Sequence, residues 1–124
     1  MPGFTGMRAH YKGKTYDVLV VEHGTAGGGV TTPDFEIIPA VANKRLILVA
    51  FSFGTGSTGR RFGIRSGTTL KLSLYSNAAP IDRLMSPLPC VIGDVGQNLN
   101  VQSYSDALAH ISWFGTFWWF ESDD

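Results

Sequence analysis

Trp113-Phe-Gly-Thr-Phe-Trp-Trp-Phe120 is the stretch on which the reading of this chain turns, because six of its eight residues are aromatic. In an extended strand, successive side chains point to opposite faces. Trp113 and Phe114 therefore look opposite ways, and so do Phe117 and Trp118. A strand with large rings on both faces has to bury both. One face goes to a core, and the other calls for a second sheet edge or another subunit. The stretch points to a self-assembling β-domain, with Trp113, Phe114, Phe117, Trp118, Trp119 and Phe120 as candidates for a subunit interface. Gly115, lacking a side chain, is where this strand is expected to bend or bulge. Ahead of that point Trp113 is expected on the core side, with Ala109 and Ile111.

Outward from this stretch, strand and turn signals alternate at short intervals, and no convincing amphipathic helix is found. Strands are expected at Lys14–Glu22, at Asp34–Ile38 (closed by Pro39, which cannot donate to a ladder), and at Lys44–Phe53. The continuous Leu, Ile and Val of the last of these imply burial on both faces. Arg60–Arg65 alternates, with Phe62 and Ile64 on one side and Arg61 and Arg65 on the other. Thr69–Tyr75 places Leu70, Leu72 and Leu74 inward by the same rule. Cys90–Ile92, Gln97–Ser103 (Leu99 and Val101 against Asn98, Asn100 and Gln102) and Ala109–Glu121 complete the set. About eight short strands suit a β-sandwich or barrel. Met1–Gly13 stands apart, with Gly3, Gly6 and Gly13 and isolated apolar anchors at Phe4, Met7 and Tyr11. It reads either as a frayed terminus or as an arm docking on a neighbouring chain.

A chain of 124 residues is one domain with room for one real core. Charged residues are only 16% of it, against about 25% in typical soluble domains. The formal net charge of +0 favours neither nucleic acid nor an anionic membrane. Low, balanced charge also leaves a chain weakly protected against association. A single cysteine, Cys90, excludes an intrachain disulfide framework and is compatible with folding in a reducing cytosol. Residues Met1–Arg8 show no basic region followed by an apolar run, so no secretory leader is expected. The longest apolar run, Leu46–Phe51, is far too short to span a bilayer as a helix.

The candidate chemistry is thin. Gly54-Thr-Gly-Ser-Thr-Gly59 matches a dinucleotide-binding glycine pattern, but that pattern needs a helix N-terminus next, and Arg60–Ile64 reads as a strand. A long hairpin loop is the better reading. His10, His23 and His110 lack metal-ligand spacing. Cys90 sits among Pro89, Val91 and Ile92, which favours a buried inert thiol over a nucleophile. The carboxylates fall mostly at strand ends and turns, where Asp is expected for turn reasons alone. Arg60, Arg61 and Arg65 form the densest basic cluster and suit a subunit or partner contact. No catalytic, cofactor-binding or metal residues are assigned.

Ile38-Pro-Ala-Val-Ala-Asn-Lys-Arg-Leu-Ile-Leu-Val-Ala-Phe-Ser-Phe53 enters a strongly apolar strand through an Ala-rich lead and an Asn-Lys turn. Ser66-Gly67-Thr68-Thr69-Leu70, the proline-bounded Pro87-Leu-Pro-Cys-Val91, Gly96-Gln-Asn-Leu-Asn-Val101 and Gly115-Thr-Phe-Trp-Trp-Phe120 follow it. This succession resembles a group of small jelly-roll domains found in virion proteins of tailed bacteriophages, over about Ile38–Phe120. The resemblance implies an all-β single jelly-roll β-sandwich at residues 14–124, preceded by an N-terminal arm at residues 1–13. It implies a non-enzymatic capsid decoration (cement) protein, made in the host cytoplasm and carried on the virion. Such a protein associates as a homotrimer and binds the major capsid protein, with no cofactor, nucleic acid or membrane. On that reading Phe4, Met7 and Tyr11, with Arg60, Arg61 and Arg65, touch the shell. The alternative is a carbohydrate- or receptor-binding jelly-roll module of a tail fibre or baseplate.

Overall fold

A computed structural model of the chain describes residues 3–26, 34–55, 58–77, 81–83, 89–103 and 112–123. Among them are ten strands and no helix: β1 (Gly3–Tyr11), β2 (Lys14–Ala26), β3 (Asp34–Ile38), β4 (Arg45–Thr55), β5 (Thr58–Ser66), β6 (Thr69–Asn77), β7 (Ile81–Arg83), β8 (Val91–Ile92), β9 (Leu99–Ser103) and β10 (Ser112–Ser122). The strands pair antiparallel as a nest. β5 with β6 is innermost, β4 with β7 and β8 comes next, then β3 with β9, and β2 with β10 is outermost. Alternate levels of the nest fall in alternate sheets. The first sheet runs β1-β2-β10-β4-β7, with β8 also on β4, and the second runs β3-β9-β5-β6. The fold is thus all-β with two antiparallel sheets, as a β-sandwich requires. The glycine-rich stretch after β4 leads from the first sheet to the second, so it does not turn a hairpin.

The inward faces of both sheets meet in one core. Leu46, Leu48, Phe51 and Phe53 of β4 and Phe117 and Trp119 of β10 pack against Ile37, Ile38, Phe62, Ile64, Leu99 and Val101 of the second sheet. The Phe53 and Phe62 rings close the gap edge-on at 4.8 Å. A register step explains how Leu46 to Phe51 can all be buried. Trp118 pairs with Ala50 and Trp119 with Leu48, so Val49 is an extra residue on β4. Below this bulge the even positions face the core, and above it the odd ones do. The thiol of Cys90 donates to the Val49 carbonyl oxygen at 3.2 Å, and the Cys90 backbone N–H donates to Leu48 O. The cysteine therefore helps to satisfy the backbone polar groups around the bulge.

The bulge lies at Val49 on β4 and not at Gly115. The ladders of β10 with β2 and β4 run unbroken through Gly115. A Cβ there would come within 2.8 Å of the Phe117 ring, so the glycine makes a flat seat for that ring. A second bulge corrects the expectation for Leu70. Ile64 pairs with Leu72 but Arg65 with Leu70, so Lys71 is the extra residue and Leu70 turns outward, 48% exposed.

The N-terminal segment anticipated as an arm pairs with β2 as an edge strand through Gly3–Tyr11. Lys12 and Gly13, both at positive φ, form the two-residue turn that joins them. The outer face of the first sheet carries its own cluster: Ala9, Val18, Ile47, Val49 and Phe120 are buried, with Tyr11, Tyr16 and Trp118 packed against them. Tyr16 stacks on Phe120 at 4.9 Å and Tyr11 meets it edge-on at 5.9 Å. β1 also protects the sheet edge. Its pairing is interrupted between Phe4 and Arg8, where Gly6 has positive φ and the Thr5 hydroxyl donates to Val18 O.

The end of β10 is pinned by charge. Asp123 Oδ1 accepts from Lys44 Nζ and Oδ2 accepts from Lys14 Nζ. The hydrogen bond to Lys44, reinforced by its charge, holds the Asp123 carboxyl below the usual carboxylate range, and the same bond raises Lys44. A lowered carboxyl stabilises the fold above its unfolded value of about 4, and the effect is lost as pH falls through the folded value. A raised lysine contributes below its unfolded value and loses that contribution as pH rises through the folded one. Asp123→Asn is therefore expected to flatten the acid limb of stability against pH and to trim the alkaline limb, read as denaturation midpoints across pH. A Phe117→Ala substitution should cost about 3–5 kcal/mol of unfolding free energy, since it empties the seat on Gly115.

Candidate functional site

Strand alternation that sends Phe35, Ile37, Leu99, Val101 and Ile64 inward sends Glu36, Asn100 and Arg65 to the outer face of the second sheet. These three are direct cross-strand neighbours, Glu36 opposite Asn100 and Asn100 opposite Arg65. Beside this row the β5–β6 turn (Gly67, Thr68) and the segment leading into β9 (Gln97, Asn98) rise as walls. With Ala40 they enclose an open pocket of about 510 Å³.

Its polar groups are held in place by one another. Asn98 Nδ2 donates to Glu36 Oε2 at 2.7 Å. Asn100 Nδ2 donates to Gly67 O and to Asn98 Oδ1, both at 3.1 Å. Arg65 donates through Nη1 to Gln102 Oε1 and through Nη2 to Thr68 O, both at 3.0 Å. The Gly67 backbone N–H donates to Asn98 O at 3.0 Å, tying the turn to the β9 lead-in. Asn100 is 7% exposed, and its Oδ1 is buried with no donor among the described residues. One carboxylate and one guanidinium balance in charge, and the remaining groups are amides and a hydroxyl. No metal-ligand cluster of three or more His, Cys, Asp or Glu occurs among the described residues.

The residues singled out from sequence are dispersed. Phe117 and Trp119 belong to the inter-sheet core and Phe120 to the cluster under the tyrosines, which removes all three from any subunit interface. The physical reason is that β10 is a central strand, flanked by β2 and β4, and at these three residues each face is covered within one chain. Phe114 is 60% exposed on the outer face, over Gly54, and Trp118 is half-buried on the same face. The side chains of Trp113, Phe4, Arg60 and Arg61 lie outside the described residues, as do Ala109, His110 and Ile111. Met7 is exposed on β1, whereas Tyr11 is used internally against Phe120. Tyr11 and Arg65, grouped together as shell contacts, stand on the outer faces of different sheets.

His23 has a structural part. Its Nε2 is 2.7 Å from Ile37 O and its ring meets Phe35 edge-on, linking β2 to β3 across the sheets. His10 pairs with Thr15 Oγ1 inside the β1–β2 hairpin. The pocket residues Glu36, Thr68, Gln97 and Asn98 were not among the sequence candidates. Asn98, Asn100 and Gln102 read only as the polar side of a strand, and nothing local announces that two distant segments frame them.

Comparison of the chain with protein-family models, with curated proteins and with solved structures finds no match in any of the three.

Gly67 sets the shape of the pocket rim. It sits at φ +59°, and a Cβ would fall 2.5 Å from Gln97 Oε1. Gly67→Ala should cost about 1–2 kcal/mol from the left-handed backbone alone, measured by chemical denaturation. It should also displace the Gln97 side chain, seen as a shift of its side-chain amide resonances.

Proposed function

We propose that this protein is a non-enzymatic virion component of a tailed bacteriophage, a jelly roll that decorates and stabilises the capsid shell. The observation that carries the reading is the nested pairing of β2 to β10. Four antiparallel levels, β5·β6, β4·β7/β8, β3·β9 and β2·β10, alternate between two sheets. A rolled-up ribbon of hairpins would give such nesting, which supports the jelly-roll reading. The described motifs that carry the resemblance lie at turns and strands of this nest, which supports the reading. The turn before β4 holds Asn43 at φ 63°, Ser66-Gly67-Thr68 spans the β5–β6 turn, Gly96–Val101 leads into β9, and Gly115–Phe120 forms the buried half of β10.

A decoration protein works by many modest contacts repeated over a shell, where a small area per copy suffices because binding is multivalent. For contact between copies, β10 retains Phe114 and Trp118 on the outer face of the first sheet. Trimers through this face are the arrangement proposed, with Met7 of β1 as the remaining described apolar anchor for the shell. The low charge and neutral balance of the chain support association of this kind.

Phe114→Ser and Trp118→Ser should each lower the oligomer mass in light scattering while the chain stays folded; an unchanged oligomer in both variants refutes this face. Adding the protein to undecorated heads of the phage that encodes it should give evenly spaced density over capsomer junctions by electron cryomicroscopy. Heads that remain bare at saturating protein refute the capsid assignment.

A further inference from the structure

The pocket on the second sheet has no part in the capsid reading, and its chemistry points to a ligand of its own. We infer that it is a binding site for a neutral, hydroxyl-rich ligand, a hexose unit at the end of a glycan. The inference does not rest on the capsid assignment.

The volume of about 510 Å³ lies within the range of small-molecule sites. The groups around it alternate in hydrogen-bond sense. Glu36 presents acceptors, the Gln97 and Asn98 amides present both donor and acceptor, and the Thr68 hydroxyl presents either. A pair of adjacent sugar hydroxyls needs this mixture, since each hydroxyl donates once and accepts from a neighbour. A phosphate or a carboxylate would want several unengaged cationic donors instead. Arg65, the one cation lining the pocket among the described residues, already donates through both terminal nitrogens to Gln102 and Thr68. It acts as a brace for the wall, and its charge is balanced by Glu36. Net neutrality of the lining disfavours an ion as the ligand.

Two features mark the site as built for binding. Glu36, Asn98 and Asn100 are chained by hydrogen bonds at 2.7 and 3.1 Å, so the polar atoms are preorganised and lose little freedom when a ligand arrives. Asn100, at the floor, keeps a buried carbonyl oxygen with no donor among the described residues. That oxygen is closed off from solvent, so Asn100 serves the pocket as a brace, through its Nδ2 bonds to Gly67 O and Asn98 Oδ1. No aromatic ring lines the pocket among the described residues, so affinity from hydrogen bonds alone should be weak, roughly millimolar, as suits multivalent display.

The test is a two-dimensional ¹H–¹⁵N titration of the intact chain with the methyl glycosides of glucose, galactose, mannose and N-acetylglucosamine, and with free glycine as a zwitterionic control. At least one glycoside should saturate with shifts concentrated at the amides of Gly67, Thr68, Gln97, Asn98 and Asn100. Glu36→Gln, at an exposed site, should weaken that binding about tenfold by removing a charged acceptor. Thr68→Val, also exposed, gives a second folded variant and should weaken it about threefold. The proposal is overturned if no glycoside shifts these amides at about 50 mM. It is also overturned if glycine binds more tightly than every glycoside, if the shifts map to Phe114 and Trp118 instead, or if both folded variants bind as the parent does. None of these outcomes bears on capsid binding, which is read separately on phage heads.

Discussion

β10 runs between β2 and β4, and everything else in this sandwich is arranged around burying both of its faces. Its inward rings, Phe117 and Trp119, join Phe51 and Phe53 of β4 in the core shared with Phe62 and Ile64. Its outward ring Phe120 cannot use that core, so the chain brings a second cover. The β1–β2 hairpin lays Tyr11 and Tyr16 against it, and Ile47 and Val49 fill in from β4. The Val49 bulge belongs to the same solution. It keeps Leu46, Leu48, Phe51 and Phe53 all pointing inward although they change parity, and Cys90 answers the carbonyl it displaces. The Lys44–Asp123–Lys14 contact then holds the end of the strand without needing burial.

This arrangement divides the surfaces by task. The covered part of the outer face, around Phe120, is interior in all but name. Farther along the same strand, Phe114 stands open, and that is where contact with other copies is proposed. The second sheet turns a different kind of face outward: a row of Glu36, Asn100 and Arg65, braced by turns and balanced in charge. The apolar face proposed for contact and the pocket proposed for a ligand thus lie on different sheets.

Most of the strands were legible in the sequence because their signals are local. Asp34–Ile38 is bounded by Pro39, the apolar run after Lys44 announces a strand buried on both sides, and Leu99 with Val101 alternates against Asn and Gln. The failures share one physical cause, which is that they depend on a partner strand. Leu70 looks inward by alternation and turns outward because Lys71 is a bulge against β5. Gly115 looks like the break in β10, yet the extra residue lies across the ladder at Val49. Met1–Gly13 reads as a frayed terminus or an arm because Gly3, Gly6 and Gly13 and isolated apolar anchors leave it little periodicity, and its hairpin turn is Lys12-Gly13, without the Asn-Gly or Asp-Gly that usually marks such turns. Phe120 reads as an interface ring because nothing local says that a tyrosine-bearing hairpin will cover it, and Phe117 and Trp119 read so because nothing local shows the sheet opposite them. The pocket was hidden for the same reason. Its walls come from three separated segments, around residues 36–40, 65–68 and 97–100, and only the sheet order brings them together.

The central claim is that β10 is an interior strand of a single subunit and not an edge completed by a second copy. Native-state hydrogen exchange of the Thr116–Phe120 amides, measured across a wide range of protein concentration, tests it most directly. Those amides should exchange only through global unfolding and should be the slowest in the chain, with protection independent of concentration. Fast exchange in dilute protein, with protection that grows as the chain associates, would contradict it.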